Sequence, residues 1–189
     1  ITRAFAMAKG GRPGPVVISL PEDMLVEKIQ VVDVVPTQLP VPEPGDNDIN
    51  KLNRMISDAK KPLVIFGGGG WTQESVADLE AFCEGNSLPA IASFRVQDIF
   101  NNDHPNFIGE LGYNTNPKLA QRVKNADFIL AIGARLGETA TQAYTLIKAP
   151  KPDQKLVHIF ADHTELGRVF QADLSIASDL SAFVGSVRR

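Results

Sequence analysis

Four consecutive glycines, Gly67, Gly68, Gly69 and Gly70, are the strongest chemical signal in the sequence. They follow an apolar run at 62–66 and precede a helix-forming stretch. Backbone without Cβ atoms can approach a phosphate closely, and the start of a helix offers free N–H groups and the positive end of a dipole. The glycines therefore predict either a phosphate-binding turn or a tight strand-to-helix turn without a ligand.

The glycine run does not match the G-x-G-x-x-G fingerprint of NAD-binding enzymes. Thr72 occupies the last glycine position when the motif is read from Gly67, and Gln73 occupies it when the motif is read from Gly68. The next apolar run ends near Arg95, without the acidic residue that binds a ribose in those enzymes. An NAD-dependent dehydrogenase is therefore disfavoured.

Further candidate ligand-binding residues follow later apolar runs. Gly133 and Arg135 come directly after the run at 128–132, and Arg135 either pairs with a diphosphate or lies along the surface. Asp162 either accepts hydrogen bonds from a ribose or caps the turn that follows it. Asp179 either contacts a ligand or, as its position favours, caps the last helix.

No residue pattern predicts a catalytic centre or a metal site. His104, His158 and His163 are scattered, without cysteines or glutamates at the spacing of metal ligands. The G-x-S-x-G motif, which carries the nucleophilic serine of many hydrolases, is missing from the sequence. Cys83 follows a phenylalanine within a helical pattern, and both it and His158, which lies in an apolar strand, are predicted to be core residues.

Composition excludes several classes of protein. Apolar residues make up 43% and charged residues 22% of the 189 residues, which is typical of a globular domain. A net charge of −3 gives no basic surface for nucleic acid or for an anionic membrane, and no apolar run reaches the roughly 18 residues of a membrane helix. A single cysteine excludes an internal disulfide and indicates a cytoplasmic location.

Alternating strands and helices position these residues. Helices are predicted at 48–59, 73–84 and 116–125 and from about 178, with Asp46 or Asn47 as a cap for the first. Between them, apolar runs predict buried strands at 62–66, 89–92, 128–132, 156–160 and 174–177. The pattern predicts an α/β fold, a doubly wound Rossmann-like parallel sheet of five to six strands with helices on both faces. Ligands bind such sheets at the carboxyl ends of the strands, where the candidate residues lie.

The first 47 residues follow a different pattern. A helix is predicted at 1–9 and a short strand at 16–20, but one helix and one strand cannot form a core. We therefore expect residues 1–24 to be the end of another domain whose remainder is missing. Prolines at 36, 40, 42 and 44 predict an extended linker at 25–47, and residues 48–189 form the main domain.

Several segments, in order, resemble thiamine-diphosphate-dependent enzymes. The run GRPGPVVISL at 11–20 is similar to the end of their pyrimidine-binding domain, and ADFILAIGARL at 126–136 is similar to the segment ADLVLAIGARL of their central domain. The stretch at 158–167 resembles the family's HIDIDPxxIG, although Phe160 replaces an aspartate and His163 a proline. Asp179 matches the aspartate of a terminal GD. The closest pattern is that of acetolactate synthase.

The resemblance implies a central domain that is not itself catalytic. Thiamine diphosphate and Mg²⁺ would be bound by the pyrimidine- and diphosphate-binding domains, which this sequence lacks. The whole enzyme would be a homo-oligomeric lyase or transferase acting on a 2-oxo acid. A free-standing FAD- or ADP-binding module, such as an electron-transfer flavoprotein domain, is the alternative.

The resemblance also implies a nucleotide cleft. The central domain binds FAD in acetolactate-synthase-like members and ADP in oxalyl-CoA-decarboxylase-like members. The glycines at 67–70, Arg135, Asp162 and Asp179 match the positions that line this cleft, and Gly133 lies beside them. Because Phe160 removes an acid that the family often uses, an empty, purely structural cleft is the other expectation.

Overall fold

The structure, a computed structural model, describes residues 1–188, which divide into two compact units. The first unit, Ile1–Val41, contains the helices α1 (Thr2–Lys9) and α2 (Glu22–Leu25), and the rest of it is irregular. The predicted helix at 1–9 is confirmed, and it ends where the Gly10 N–H donates to the Ala6 carbonyl at 2.9 Å.

The strand predicted at 16–20 is wrong. This stretch is extended but belongs to no sheet among the described residues, and Val17 is 92% exposed. A strand requires a hydrogen-bonded neighbour, and the first unit contains no other strand that could pair with it. The apolar, β-branched composition of the run is therefore not sufficient to make it a strand here.

The second unit begins at Pro42 and contains a six-stranded sheet with helices on both faces. Its elements in chain order are α3 (Asp46–Asp58), β1 (Pro62–Phe66), α4 (Gln73–Gly85), β2 (Ala90–Ala92), β3 (Phe107–Glu110), α5 (Pro117–Lys124), β4 (Phe128–Ile132), β5 (Lys155–Phe160), a 3₁₀ turn (His163–Glu165), β6 (Leu174–Ala177) and α6 (Leu180–Val187). The strand order is β3-β2-β1-β4-β5-β6, and every pair of neighbours is parallel. The predicted doubly wound α/β fold is confirmed.

Two differences from the predicted elements have local causes. α3 begins at Asp46, two residues early, and Gly45 rather than a polar side chain occupies its N-cap position. β3 was not predicted, because it has only four residues, is half-buried, and includes Gly109 at a φ of +126°.

The alternation of side chains along the buried strands divides the core into two layers. Val64, Phe66 and Ile132 face α3, α4 and α6, whereas Leu63 and Ile65 face α5. Because both faces of the sheet are covered, β1 and β4 are apolar at nearly every position.

The direction of the connections changes between β1 and β4. From β1 the chain continues to β2 and β3 on one side, and from β4 it continues to β5 and β6 on the other. A crevice at the carboxyl ends of the strands forms at such a switch point. No helix among residues 1–188 is long and apolar enough to cross a membrane.

Candidate functional site

The candidate site lies at the carboxyl ends of β1 and β4, where a fold of this class is expected to form a crevice. The two strands pair in register from Pro62 and Phe128 to Phe66 and Ile132. Beyond the last pair, the Gly67 N–H still donates to the Ile132 carbonyl at 2.9 Å. The glycine run and the segment that starts at Gly133 therefore leave the sheet side by side.

Three of the predicted glycines are explained by this close approach. Gly68 has a φ of +74°, and a Cβ there would lie 2.6 Å from the Gly133 carbonyl oxygen. Gly133 has a φ of +66°, and its Cβ would lie 2.6 Å from both the Gly67 carbonyl oxygen and Leu180 Cδ1. A Cβ at Gly67 would lie 3.0 Å from the Ser93 side chain. The contact between the two strand ends thus requires glycine at 68 and 133 even without a ligand, and it leaves little room for a side chain at 67.

The other two glycines face open space. A Cβ at Gly69 or Gly70 would meet no atom within 4 Å, and both residues are exposed. The φ of +92° at Gly70 favours glycine for the backbone alone, but Gly69 has no such angle. Neither packing nor backbone conformation accounts for Gly69, which leaves accessible main chain at the mouth of the crevice.

The start of α4 lies next to this main chain. The Trp71 indole N–H donates to the Gly67 carbonyl at 2.9 Å, which holds the ring across the glycine turn. Thr72 and Ser75 cap the helix reciprocally, with N···O distances of 3.1 and 2.8 Å. The Ser75 N–H donates to the Thr72 hydroxyl in this cap. The first two N–H groups of the helix, those of Gln73 and Glu74, have no acceptor within the helix. They are available to an anion, although the Glu74 side chain adds a negative charge in the same turn.

Arg135 is held by an acid that the sequence analysis missed. Its Nε donates to Glu165 Oε1 at 3.0 Å, and Glu165 is only 7% exposed. Arg168 lies 3.7 Å from the other carboxylate oxygen of Glu165. The contact uses one of the five N–H donors of the Arg135 guanidinium, whose side chain remains 45% exposed. The pair is separated by 30 residues, so no local pattern could have indicated it.

Asp162 and Asp179 both cap turns. Asp162 Oδ1 accepts hydrogen bonds from the Thr164 N–H at 2.9 Å and from its hydroxyl at 2.7 Å, at the start of the 3₁₀ turn. Asp179 Oδ1 accepts from the Ala182 N–H at 3.1 Å, at the start of α6. Each carboxylate thus has a structural role, and a ligand contact for either stays a prediction.

The core interpretation of His158 and Cys83 is confirmed. His158 is 3% exposed, and its Nε2 lies 2.9 Å from the Ala134 carbonyl oxygen, so this nitrogen is the donor in the neutral ring. Burial lowers the pKa of His158. Burial, with a smaller effect of the Glu80 charge, raises the pKa of Cys83 to about 12. Among residues 1–188, no group of three or more histidine, cysteine, aspartate or glutamate side chains is placed to hold a metal ion.

Comparison with known proteins gives one consistent result. The sequence model of the thiamine pyrophosphate enzyme central domain matches residues 49–187. Glyoxylate carboligase of Escherichia coli O157:H7 is 32% identical over 96% of this chain and 31% of its own length. Acetolactate synthase large subunit of Corynebacterium glutamicum is 27% identical over 95% of this chain and 29% of its own.

A solved structure agrees with these relatives. Benzoylformate decarboxylase from Polynucleobacter necessarius superposes with a TM-score of 0.74 and 25% sequence identity, over 99% of this chain and 35% of that chain. The chain therefore spans about a third of the length of the proteins it matches.

Proposed function

Because the chain belongs to the thiamine pyrophosphate enzyme central-domain family, we propose that it acts within a larger thiamine-diphosphate-dependent lyase or transferase. The observation that supports this best is the match over residues 49–187, which includes the whole six-stranded sheet. The relatives are named as a carboligase, synthases and an acetyltransferase. The proposed substrate is a 2-oxo acid, in a reaction similar to that of acetolactate synthase.

In this proposal the chain does not contain the catalytic centre. Thiamine diphosphate and its Mg²⁺ are assigned to pyrimidine- and diphosphate-binding domains outside the chain, and this assignment rests on the family resemblance. This chain covers only 31% and 29% of the length of two relatives, so their remaining sequence is long enough to contain both domains. A homo-oligomeric whole protein and a cytoplasmic location belong to the same proposal, and rest on the family resemblance and on the single cysteine.

We further propose that the crevice binds the diphosphate of an adenine nucleotide, ADP or FAD. Gly69 supports this most directly, because neither packing nor φ requires a glycine there. The diphosphate would lie against the main chain of Gly69 and Gly70, near the free N–H groups of α4, with Arg135 as a charge-assisted partner. Asp162 and Asp179 would lie at the border of the cleft.

An empty cleft with a purely structural role is the second candidate. It is favoured by the capping hydrogen bonds of Asp162 and Asp179 and by the ion pair that Arg135 already forms with Glu165. Each of these groups is used within the fold. We therefore expect weak nucleotide binding at most.

Calorimetric titration of the 189-residue chain with ADP and with FAD tests the cleft. Gly69→Ala would add a Cβ where the diphosphate approaches, so we expect the Kd to rise about tenfold, and Arg135→Ala should raise it similarly. Gly85→Ala is the matched control, since a Cβ there also meets no atom within 4 Å, but the residue ends α4 at the opposite end from the glycine run. Trp71 is the only tryptophan, and its fluorescence gives an independent signal.

The titration distinguishes the candidates. Tight FAD binding that neither Gly69→Ala nor Arg135→Ala weakens would show that the nucleotide binds elsewhere. No binding at millimolar ADP or FAD would establish the structural role.

The assignment of thiamine diphosphate to other domains is tested separately by the melting temperature. A bound cofactor at 100 times its Kd would stabilise the chain by about 2.7 kcal/mol, and we expect no shift.

A further inference from the structure

A groove of about 560 Å³ lies beside the amino-terminal ends of β1 and β2. Lys60 and Lys61 come from the turn before β1, Ser87 precedes β2, and Lys118 and Arg122 project from α5. The crevice described above is at the opposite ends of the strands. A five-residue strand separates its ends by roughly 16 Å, so the groove and the crevice are different places on the protein.

The groove combines an apolar floor with a basic rim. Its apolar floor is formed by the partly exposed Pro62 and Pro89, above the buried Leu63. Polar side chains spaced three and four residues apart line it from one face of α5 and from the residue that follows the helix, namely Lys118, Gln121, Arg122 and Asn125. The two lysines before β1 complete the rim, so four cationic side chains surround one depression.

None of these four cationic side chains forms an ion pair among residues 1–188. The nearby carboxylate, Asp127, is occupied by the main chain. Its Oδ2 accepts from the Lys60 N–H and its Oδ1 from the Lys61 N–H, both at 2.8 Å. Asp127 thus fixes the turn that presents the two lysines. Although burial opposes it, these main-chain hydrogen bonds and, to a smaller extent, the charge of the Lys61 ammonium lower the pKa of Asp127. Neither lysine ammonium forms an ion pair with Asp127.

Basic side chains elsewhere in the second unit vary in this respect: some form ion pairs, and others form none among residues 1–188, namely Lys51, Arg54 and Arg95. Lys155 pairs with Asp173 at 2.8 Å, and Arg135 pairs with Glu165 at 3.0 Å. Four like charges around one depression repel each other, and at physiological salt the repulsion acts over about 8 Å. In a chain with a net charge of −3, the cluster is a local exception that an anionic ligand would neutralise.

We propose that this groove binds a small organic oligophosphate. Its volume lies within the roughly 300–1,000 Å³ of ligand sites. Arg122 can bind a phosphate through two parallel N–H groups, and the lysines act as mobile point charges. The organic part of the ligand packs on the two prolines, which are partly exposed. This site does not depend on the proposed nucleotide crevice, because it uses none of the same residues.

Calorimetry with two probes tests the site on the 189-residue chain. Inorganic triphosphate reports the charges alone, and cytidine triphosphate adds an organic part. We expect saturable binding of both, tighter for cytidine triphosphate, and weaker for both at 200 mM than at 50 mM salt. The double variant Lys118→Ala/Arg122→Ala should lose at least tenfold in affinity.

The matched control is Lys148→Ala/Lys151→Ala, which removes two exposed positive charges elsewhere. It should bind both probes as the unmodified chain does. Lys61→Gln/Arg122→Gln gives a second variant of the groove, and melting temperatures identify any variant that does not fold.

Equal losses of affinity in the groove and control variants, or no saturation at millimolar triphosphate, would overturn the site. A tenfold loss of affinity in Arg135→Ala would show that the probes bind in the crevice and not in the groove. If cytidine triphosphate binds no tighter than triphosphate, the assignment of the organic part to the floor is wrong.

Discussion

The Arg188 guanidinium donates to the carboxylate of Asp78 at 2.6 Å, which joins the end of α6 to the middle of α4. The two helices pack side by side on one face of the sheet, and Asp78 is only 7% exposed. The pair thus ties the last helix of the fold to the helix that follows the glycine run.

Arg188→Ala should lower the free energy of unfolding by about 1 kcal/mol. The substitution leaves a largely buried carboxylate without this partner, while the 61% exposure of the arginine limits the loss. Urea unfolding monitored through Trp71 measures it. The control Lys148→Ala disrupts a fully surface pair with Asp153 at 3.6 Å, and should change stability by less than about 0.5 kcal/mol. Equal effects of the two substitutions would contradict the structural role of the α4–α6 pair.

Gly68→Ala should destabilise the fold by more than about 2 kcal/mol. The new Cβ would meet the Gly133 carbonyl at 2.6 Å, and the φ of +74° adds strain for any residue with a side chain. Denaturant unfolding should separate this variant clearly from Gly69→Ala, which adds a Cβ in open space only one residue later. We expect Gly69→Ala to retain the stability of the unmodified chain or to gain up to about 1 kcal/mol. A comparable loss in both variants would show that the two strand ends are arranged differently.

His158 should make the fold less stable in mild acid. Burial lowers its pKa in the folded chain, so between that value and the ordinary value near 6.5 the unfolded chain binds more protons. Its contribution is fully present above pH 6.5, and the free energy of unfolding decreases as the pH falls below that value, by at most about 1.4 kcal/mol per pH unit. Urea unfolding between pH 7.5 and 5.5 measures the slope.

His158→Gln is the variant for this test. It keeps an N–H donor that can reach the Ala134 carbonyl but cannot titrate. Its unfolding free energy should change less with pH over the same interval. An unchanged slope in His158→Gln would assign the pH dependence to other groups.

Cys83 should not react with thiol reagents in the folded chain. Its side chain is fully buried, and a pKa of about 12 leaves almost no thiolate at neutral pH. The absorbance change of a disulfide reagent should therefore follow the unfolding transition in urea. Rapid modification without denaturant would mean that α4 opens locally.

The sheet could be predicted because most of its strands are short, nearly continuous apolar runs, and the burial of both faces of β1 and β4 makes such runs distinctive. β1, β4 and β6 were predicted with the bounds that the structure shows. The wrong prediction of a strand at 16–20 has a physical explanation. An apolar, β-branched run indicates a preference, whereas a strand also requires a partner that the local sequence does not reveal.

The candidate site was predictable in position but not in detail. Strand ends locate the crevice, since the fold class alone places ligands there. The difference between Gly68 and Gly69 depends on where the end of β4 lies, and the pairing of Arg135 depends on Glu165, which is 30 residues away. Such differences arise from packing between segments that are far apart in the sequence, and the spacing of residues within a motif does not reveal this packing.

The irregular strand β3 has a consequence for how copies of the chain can associate. It is one edge of the sheet, has only four residues, and shifts its register against β2 between Ala90 and Ala92. A long, flat edge would offer a row of unpaired amide and carbonyl groups on which a strand from another molecule could extend the sheet. The shifted register and Gly109 interrupt that row. Edge-to-edge growth into aggregates is thereby discouraged on this side of the sheet, and copies of the chain that associate through this side would have to use helical or loop surfaces instead.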